Sequence, residues 1–172
     1  MACNITLGGL TRDCSTNAGG VKNVYIGDFG ALTTTVTSGK ITALALATGA
    51  NKFKKYHFAP KSASVTSTPQ FNDYGEYVGE QSVISLSFPK MQSASRAEVA
   101  AISLNDNAVV VEDNNGVLWF YGYDHPVYRT GGEAATGTER TNANAYAIEL
   151  TDDANQLPYE IEGSAWTSAL WE

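Results

Sequence analysis

Residues 108–121 read AVVVEDNNGVLWFY, and this stretch decides the fold class of the chain. Two runs rich in β-branched and aromatic residues, 108–111 and 117–121, flank the turn signal DNNG at residues 113–116. An Asn-Gly pair supplies the two positive-φ residues of a tight turn whose twist matches that of the flanking strands. The stretch therefore predicts a β-hairpin.

Residues 142–150 carry a second strand signal. The larger residues fall at alternate positions: Asn144, Tyr146, Ile148 and Leu150. This alternation is the period of a half-buried strand, and we expect it to pair with the hairpin. Nothing between residues 108 and 161 resembles an active site, which indicates a sheet protein that works by assembly.

The composition is consistent with assembly but does not establish it. A chain of 172 residues predicts a single domain, residues 1–172, large enough to bury its own core. Charged residues make up 17% of the chain, below the roughly 25% of an average soluble domain, and small residues are abundant. Such a surface suits a chain that contacts copies of itself, and it equally suits a plain β-sandwich.

The net charge of −7 argues against a general nucleic-acid binder of the basic-patch kind. The basic cluster Lys52, Lys54 and Lys55 is expected to be a set of solvated edge charges. Residues 1–20 lack the basic start and apolar core of a signal peptide, and no apolar run is long enough to span a bilayer. The sequence therefore predicts a soluble protein made in a cytoplasm, with residues 1–20 forming an N-terminal arm.

The other strand signals lie upstream, at residues 21–26, 32–36, 40–48, 53–58, 63–68 and 82–88. Ser38-Gly39 predicts a hairpin turn between the second and third of them. In the third, the mostly small residues Ile41, Ala43, Ala45 and Ala47 are expected to share one face and to let a neighbouring sheet or subunit approach closely.

One helix is predicted at residues 93–105. Ser95 and Glu98 have the spacing of a capping box, and Asn105 provides a stop. The expected apolar stripe consists of Ala97, Val99, Ile102 and Leu104. The fold class is therefore mainly β: a β-sandwich or partly closed barrel with one short helix and a long β-hairpin arm.

That arm is predicted at residues 61–88, where a polar, glycine-punctuated segment joins two extended runs. Its aromatic and aliphatic side chains are Phe71, Tyr74, Tyr77 and Val78. One interpretation is an ordinary exposed loop. The other is an arm that contacts a neighbouring subunit through these four residues.

No catalytic residue is predicted. His125 follows Asp124 in a turn, where adjacent residues face opposite ways, and His57 lies in a strand context. Residues 34–41 resemble a phosphate loop, but Ile41 stands where a Mg²⁺-binding hydroxyl belongs.

No cofactor or metal site is predicted either. With Gly116 at the sixth position of a calcium loop, the first position would be Val111, so the register fails. The carboxylates at 152, 153, 160 and 162 are interpreted as solvated charges rather than as a weak cation site. Cys3 and Cys14 lack the spacing of a zinc site, and they form either a disulfide or two free thiols.

Motifs over most of the chain occur in a characteristic order. They are C-x-I…C…GGVKxVYI (Cys3, Cys14 and residues 19–26), SLSFPKM (85–91), a short helix carrying Arg96, VVxDNNGxxW (110–119), a glycine–threonine stretch (130–138), ANAYAIEL (143–150) and LPY (157–159). This order resembles that of the major tail tube proteins of tailed bacteriophages, particularly of phages with Bacteroidetes hosts. Two departures are an Asn-Ala pair before Tyr146, where a glycine is expected, and Asp152-Asp153 in place of a glycine–glutamate pair.

The resemblance implies a subunit that forms hexameric rings, which stack into the tube that conducts viral DNA. It also implies that the sheet of one subunit continues into that of its neighbour, and that the arm and residues 1–20 contact other copies. The partners would be further copies, other tail proteins and DNA in transit, with no membrane; the location would be the virion tail, after synthesis in the host cytoplasm. A net negative lumen would repel phosphates and let DNA slide.

Two alternatives remain open. One is another virion β-module, such as a head-decoration or host-binding protein, which would display Tyr74, Tyr77 and Trp119. The other is a carbohydrate-binding sandwich using Trp166 and Trp171, although a C-terminal apolar strand docked on the core is the simpler interpretation of those residues.

Overall fold

The chain forms two packed β-sheets in a computed structural model that describes residues 7–11 and 14–172. The strands are β1 (Val21–Asp28), β2 (Leu32–Thr37), β3 (Lys40–Leu46), β4 (Lys54–His57), β5 (Ala63–Phe71), β6 (Tyr77–Pro89), β7 (Asn107–Asp113), β8 (Leu118–Tyr121), β9 (Tyr128–Ala135), β10 (Ala145–Ala154) and β11 (Tyr159–Ile161). The helix α1 spans Ser93–Leu104, and a short 3₁₀ helix spans Phe29–Ala31. A mainly β, sandwich-like fold is thereby confirmed; within the described residues neither sheet closes into a barrel.

The first sheet has the order β2-β3-β11-β8-β7-β1-β4, and the second has the order β5-β6-β10-β9. Between them lies a core of side chains from alternate strand positions, including Val24 and Val109 of the first sheet and Leu86 and Ile148 of the second. Val99 and Ile102 of α1 complete this core. Burying each such side chain stabilises the fold by roughly 1.5–3 kcal/mol, so the alternation in the sequence sets which face turns inward.

A second core covers the opposite face of the first sheet. Tyr25, Phe53 and Val110 pack there against Leu170 and the partly buried Trp166. As a result β7 is buried on both faces, which explains why residues 108–111 are continuously apolar instead of alternating. The C-terminal segment docks on the core, but it is a series of turns with a single bridge from Trp171 to Phe53, so its prediction as a strand is wrong.

The β7–β8 hairpin is confirmed, but its turn differs from the predicted one. Gly116 has φ +83°, whereas Asn115 does not have a positive φ. The Oδ1 of Asp113 accepts hydrogen bonds from the backbone N–H groups of Asn115 (2.8 Å) and Val117 (2.9 Å). This side chain stabilises a longer loop with one left-handed glycine, which replaces the two-residue turn. The tight turn with two positive φ values occurs instead at Ser38-Gly39.

The strand predicted at residues 142–150 exists as β10, but its expected pairing is wrong. It lies between β6 and β9 in the second sheet, while β7 and β8 pair with β1 and β11. The alternation correctly places Ile148 and Leu150 in the core. Such a pattern identifies the buried face of a strand but not its neighbour.

The helix occupies the predicted range, but it does not use the predicted capping box. It begins at Ser93, as predicted, with Gln92 at the N-cap and no side-chain cap, so Ser95 lies inside the helix and not at its N-cap. Ser95 instead donates to the carbonyl of Lys90 (3.1 Å), and Glu98 accepts from the Tyr56 hydroxyl (2.6 Å).

The predicted apolar stripe of α1 is only half correct. Val99 and Ile102 are buried, whereas Ala97 is exposed and Leu104 is 86% exposed. Because a helix turns 100° per residue, an inward face centred on Val99 and Ile102 leaves Leu104 pointing away from the sheets.

Strand β3 also departs from simple alternation. Thr35 pairs with Ala43 but Val36 pairs with Ile41, so Thr42 forms a bulge. An extra residue in one strand reverses the facing of the residues beyond it. Ile41 is therefore buried together with Leu44, and it does not share the exposed face of Ala43 and Ala45, as the alternation had predicted.

Candidate assembly surface

The second sheet turns one face away from the core. The register places small and polar side chains on this outer face, chiefly Ser64, Thr66, Ser85, Ser87, Ala145, Ala147, Thr151 and Glu149. The carboxylates at its outward positions are Glu133, Glu149 and Asp153. In these four strands, all of which the structure describes, no lysine or arginine takes an outward position.

Two cations lie near this face without reaching its centre. Arg129 pairs with Leu150 and donates from Nη1 to the Ser103 hydroxyl of α1 (2.9 Å), so it points toward the helix. Lys61, just before β5, borders a shallow trough of about 490 Å³ that runs across the outer face to Glu133. The face is therefore acidic, and its side chains are short.

Among the residues that the structure describes, the two edge strands of the second sheet have no further strand paired to them, and they run in opposite directions. β5 is antiparallel to β6, β6 to β10, and β10 to β9, so β5 runs opposite to β9. β5 is the longest edge strand of the two sheets, at 9 residues, and it carries no charged residue. Natural edges are usually protected by charges, prolines or bulges; β5 lacks charges and has a single proline, Pro69, near its arm end.

The edge of the first sheet at β4 has the opposite character. Lys54 and Lys55 lie on it, and Lys52 precedes it, so the prediction of basic edge charges is confirmed. Lys54 pairs with Glu172, and the Lys55 ammonium lies 4.8 Å from the ring centre of Trp171. Edge lysines of this kind oppose pairing with another chain.

The hairpin of β5 and β6 projects beyond the rest of its sheet. β10 ends at Ala154, which pairs with Glu80, so in the described part of the chain residues 71–78 have no strand beside them other than those of their own hairpin. These residues are called the arm tip below. The strand from Glu80 to Tyr77 alone carries the tip roughly 10 Å past the sheet at about 3.3 Å per residue.

All four predicted contact residues lie on the arm tip and are exposed. The exposed fractions are 60% for Phe71, 91% for Tyr74, 50% for Tyr77 and 59% for Val78. The rings of Phe71 and Tyr77 meet edge to face at 6.1 Å. A cluster of large apolar side chains at the end of a hairpin is a feature of binding surfaces.

The arm tip has its own internal support. The Oδ1 of Asn72 accepts from the backbone N–H groups of Tyr74 (3.0 Å) and Glu76 (2.9 Å), and its Nδ2 donates to the Glu76 carboxylate (2.8 Å). These bonds fix the turn that presents the Tyr74 ring, which reduces the entropy lost when a partner binds it.

The root of the arm contains a buried carboxylate. Asp152 is 2% exposed, and its Oδ2 accepts from the backbone N–H of Gly122 (3.0 Å), while Oδ1 has no hydrogen-bond partner among the described residues. Burial raises the pKa of Asp152 to about 6; the Gly122 N–H and His125 oppose the shift, and Asp124 and Asp153 increase it. Burial, together with this carboxylate, also raises the pKa of the Tyr121 hydroxyl.

A second polar cluster lies on the first sheet. The Glu112 carboxylate accepts from Lys22 Nζ (2.9 Å), Asn23 Nδ2 (2.6 Å) and the Tyr25 hydroxyl (3.1 Å). Although burial opposes it, this set of donors lowers the pKa of Glu112, while burial and the carboxylate raise that of Tyr25 to about 12. The Nδ1 of His57 lies 3.0 Å from Asn23 Oδ1, which extends the cluster.

The described side chains do not form a candidate metal site. Within residues 7–11 and 14–172 no three His, Cys, Asp or Glu side chains are grouped so that they could hold a metal ion. Cys14 is exposed, and its predicted relation to Cys3 lies outside the described residues. In the same part of the chain no helix is long and apolar enough to cross a membrane.

The tryptophans are engaged in packing. Trp166 meets Tyr25 and Phe53 edge to face, at 5.1 Å and 5.3 Å, in the second core. Trp119 packs partly buried against the core between the sheets. Both rings therefore take part in packing within the chain.

Searches against protein-family models, curated proteins and solved structures gave no match to the chain.

Sequence reasoning missed the strand β9 and with it one of the two open edges. Gly131 and Gly132 stand in its middle, and Gly132 has φ +125°. Glycine is disfavoured in strands and has no side chain to show alternation. The only sequence feature at residues 130–138 was their glycine–threonine composition, which is typical of a loop and not of a strand.

Proposed function

We propose that the chain is a structural subunit of a phage tail tube, which forms hexameric rings that stack in the virion tail after synthesis in the host cytoplasm. The observation that carries this proposal is the second sheet, which combines two open edges of opposite direction with an acidic outer face. The other partners would be further tail proteins and the DNA that passes through the tube.

The edges support a closed ring. A copy rotated about an axis along the strands places its β5 beside β9 of the first copy, and the two strands then run antiparallel. Each subunit pairs with one neighbour through β5 and with the other neighbour through β9. This is a heterologous interface, the kind that can close into a ring. Closure pairs every exposed N–H and C=O along both edges.

The outer face supports a channel for DNA. Four strands from each of six copies make a wider barrel than a porin, whose barrel already leaves an aqueous channel. Short side chains keep such a lumen smooth, and the outward carboxylates of Glu133, Glu149 and Asp153 repel phosphates. DNA would therefore pass without binding the wall.

The arm tip supports contact between subunits. Phe71, Tyr74, Tyr77 and Val78 lie together beyond the end of the sheet, and each is at least half exposed. Binding to another copy would remove this apolar surface from water, which is a favourable change of roughly 25 cal/mol per Å².

Electron microscopy of the purified chain tests the proposal. We expect six-fold rings or open tubes whose wall is one subunit thick. A chain that stays monomeric and folded at the highest attainable concentration would contradict it.

A pair of variants tests the edge itself. Thr66→Lys with Thr68→Lys adds two charges to the β5 edge and should prevent ring formation. Ser85→Lys with Ser87→Lys adds the same charge to the same face on the internal strand β6, and it should leave rings intact. Equal behaviour of the two variants would argue against pairing through β5.

A further inference from the structure

We infer that the arm tip of one copy binds an aromatic patch, Tyr123 and Tyr128, on the neighbouring copy of the same ring. This inference rests on the proposed function and identifies the surface that receives the arm. Tyr123 is 36% exposed and Tyr128 is 44% exposed.

The arm tip and the patch lie at the same end of the second sheet. Tyr128, the first residue of β9, pairs with Thr151 of β10, close to the Ala154–Glu80 pair at the root of the arm. Tyr123 lies in the loop that leads into β9. In a ring, every copy therefore presents its tip and its patch at the same rim.

The strand order determines which patch an arm can reach. Within one copy, β6 and β10 lie between β5 and β9, and adjacent strands are about 4.8 Å apart. Across the ring interface, β5 of one copy lies directly beside β9 of the next. The arm continues β5 past the end of the sheet. The part of the arm that contains Phe71 therefore lies beside the loop that precedes β9 of the neighbour.

The patch is held in place before any partner arrives. The rings of Tyr123 and Tyr159 meet at 4.8 Å, and the Tyr128 hydroxyl donates to Asp153. The backbone N–H of Asn155 donates to Asp124 (3.2 Å), which ties the loop of Tyr123 to the end of β10. Two of the nearby carboxylates thus already have partners, and the aromatic rings remain available for an apolar tip.

Both surfaces have the chemistry of interface anchors. Tyrosine rings bury a large area with few rotatable bonds, and aromatic pairs add stabilisation beyond the buried area. The tip supplies Phe71 and Tyr74, and the patch supplies two tyrosines. The occupant of the patch is therefore a second copy of this chain.

Cross-linking in assembled rings tests the inference. In a background of Cys3→Ser and Cys14→Ser, the pair Tyr74→Cys and Tyr123→Cys is treated with a short bis-maleimide. We expect a ladder of covalent oligomers up to the hexamer. The control pair Tyr74→Cys and Ala45→Cys, with Ala45 exposed on β3, should give none.

The outcomes separate the two proposals. Rings that form but give no ladder, or the same ladder as the Ala45 control, would overturn this inference and leave the ring itself standing. A ladder that appears only in stacked tubes would assign the arm to the next ring instead, and would also overturn it. A wild-type chain that never forms rings would overturn both proposals.

Two further variants cover a failure of the first pair to fold. Phe71→Cys with Tyr128→Cys places the same reagent across the same contact. Tyr123→Ala, in a chain without introduced cysteines, should raise the concentration at which rings form by about tenfold, since aromatic anchors dominate such interfaces. An unchanged threshold would contradict the assignment of Tyr123.

Discussion

The side-chain amide of Asn115 holds the backbone of Ala18 from both sides. Its Oδ1 accepts from the Ala18 N–H (2.8 Å), and its Nδ2 donates to the Ala18 carbonyl (3.1 Å). The neighbouring Asn114 donates from Nδ2 to the carbonyl of Gly19 (2.8 Å). The β7–β8 turn is therefore the anchor of residues 17–19, the segment that leads into β1.

Asn115→Ala is expected to release this segment without unfolding the sheets. Amide exchange at Ala18 should accelerate roughly tenfold, because its N–H loses its acceptor and local opening becomes easier. Exchange within β7 should not change. Hydrogen-exchange mass spectrometry measures both, with Asn51→Ala in an exposed loop as the control. Unchanged protection at Ala18 would mean that the anchor lies elsewhere.

Glu112→Ala is expected to destabilise the fold by about 1–3 kcal/mol. The substitution leaves the polar groups of Asn23 and Tyr25, both 3% exposed, without their acceptor. Urea unfolding measures the loss against Glu162→Ala, which removes an exposed carboxylate.

The contribution of Glu112 should also depend on pH in a defined direction. Its pKa in the folded state lies below the ordinary value of 4.5, so the folded state favours the carboxylate. The stabilisation is therefore complete above pH 4.5 and is lost as the pH falls through the folded value. A wild-type chain and a Glu112→Ala chain with the same difference in stability at pH 7 and at pH 3 would contradict this.

Asp152 should give folding stability the opposite dependence on pH, at higher pH values. Its folded pKa, about 6, exceeds the ordinary value of 3.8, so the folded state binds the proton more tightly than the unfolded one. The contribution of this group to stability should therefore rise as the pH falls through about 6 toward 3.8, by at most about 3 kcal/mol. Asp152→Asn should remove this rise, and Asp106→Asn, at an exposed site, should keep it. Urea midpoints at several pH values provide the measurement.

Shortening the arm should separate assembly from folding. Gln70 pairs with Gly79, so residues 71–78 can be replaced by Asn-Gly, which closes a two-residue hairpin turn. We expect the same thermal unfolding temperature within a few degrees and no rings. A full-length control with serine at positions 71, 74, 77 and 78 should also fail to assemble, since it keeps the length but loses the apolar side chains. Normal tubes from either variant would contradict the assignment of the arm.

Much of the fold follows from residue patterns, but the neighbours of each strand do not. Alternation identified the inward face of β10, because burial of every second residue is a local property. The partner of β10 depends on which strand edges remain free after the whole chain has folded. The capping box failed because both side chains have other partners: Ser95 bonds locally to the carbonyl of Lys90, and Glu98 accepts from the distant Tyr56.

The candidate surface was only partly accessible from the sequence. The exposed aromatics of the arm could be found because glycines and polar residues surround them between two strand signals. The acidic outer face could not, since it combines Ser85 of β6, Glu149 of β10 and Glu133 of β9 across long separations. The opposite directions of the edge strands β5 and β9 could be seen only from the strand order of the sheet, because the sequence of β9 has almost no strand signal of its own.

Because β7 is buried on both faces, we expect it to tolerate substitution less well than the outer face of the second sheet does. Substitutions at residues 108–111 of β7 disturb packing on one side or the other, whereas Ser85, Ser87 and Ala147 of the second sheet face outward and belong to neither core. At these positions the charge and size of the side chains on the outer face can be changed while the rest of the molecule is kept constant. If the chain does line a channel, the speed and selectivity of transport become adjustable quantities, set one side chain at a time.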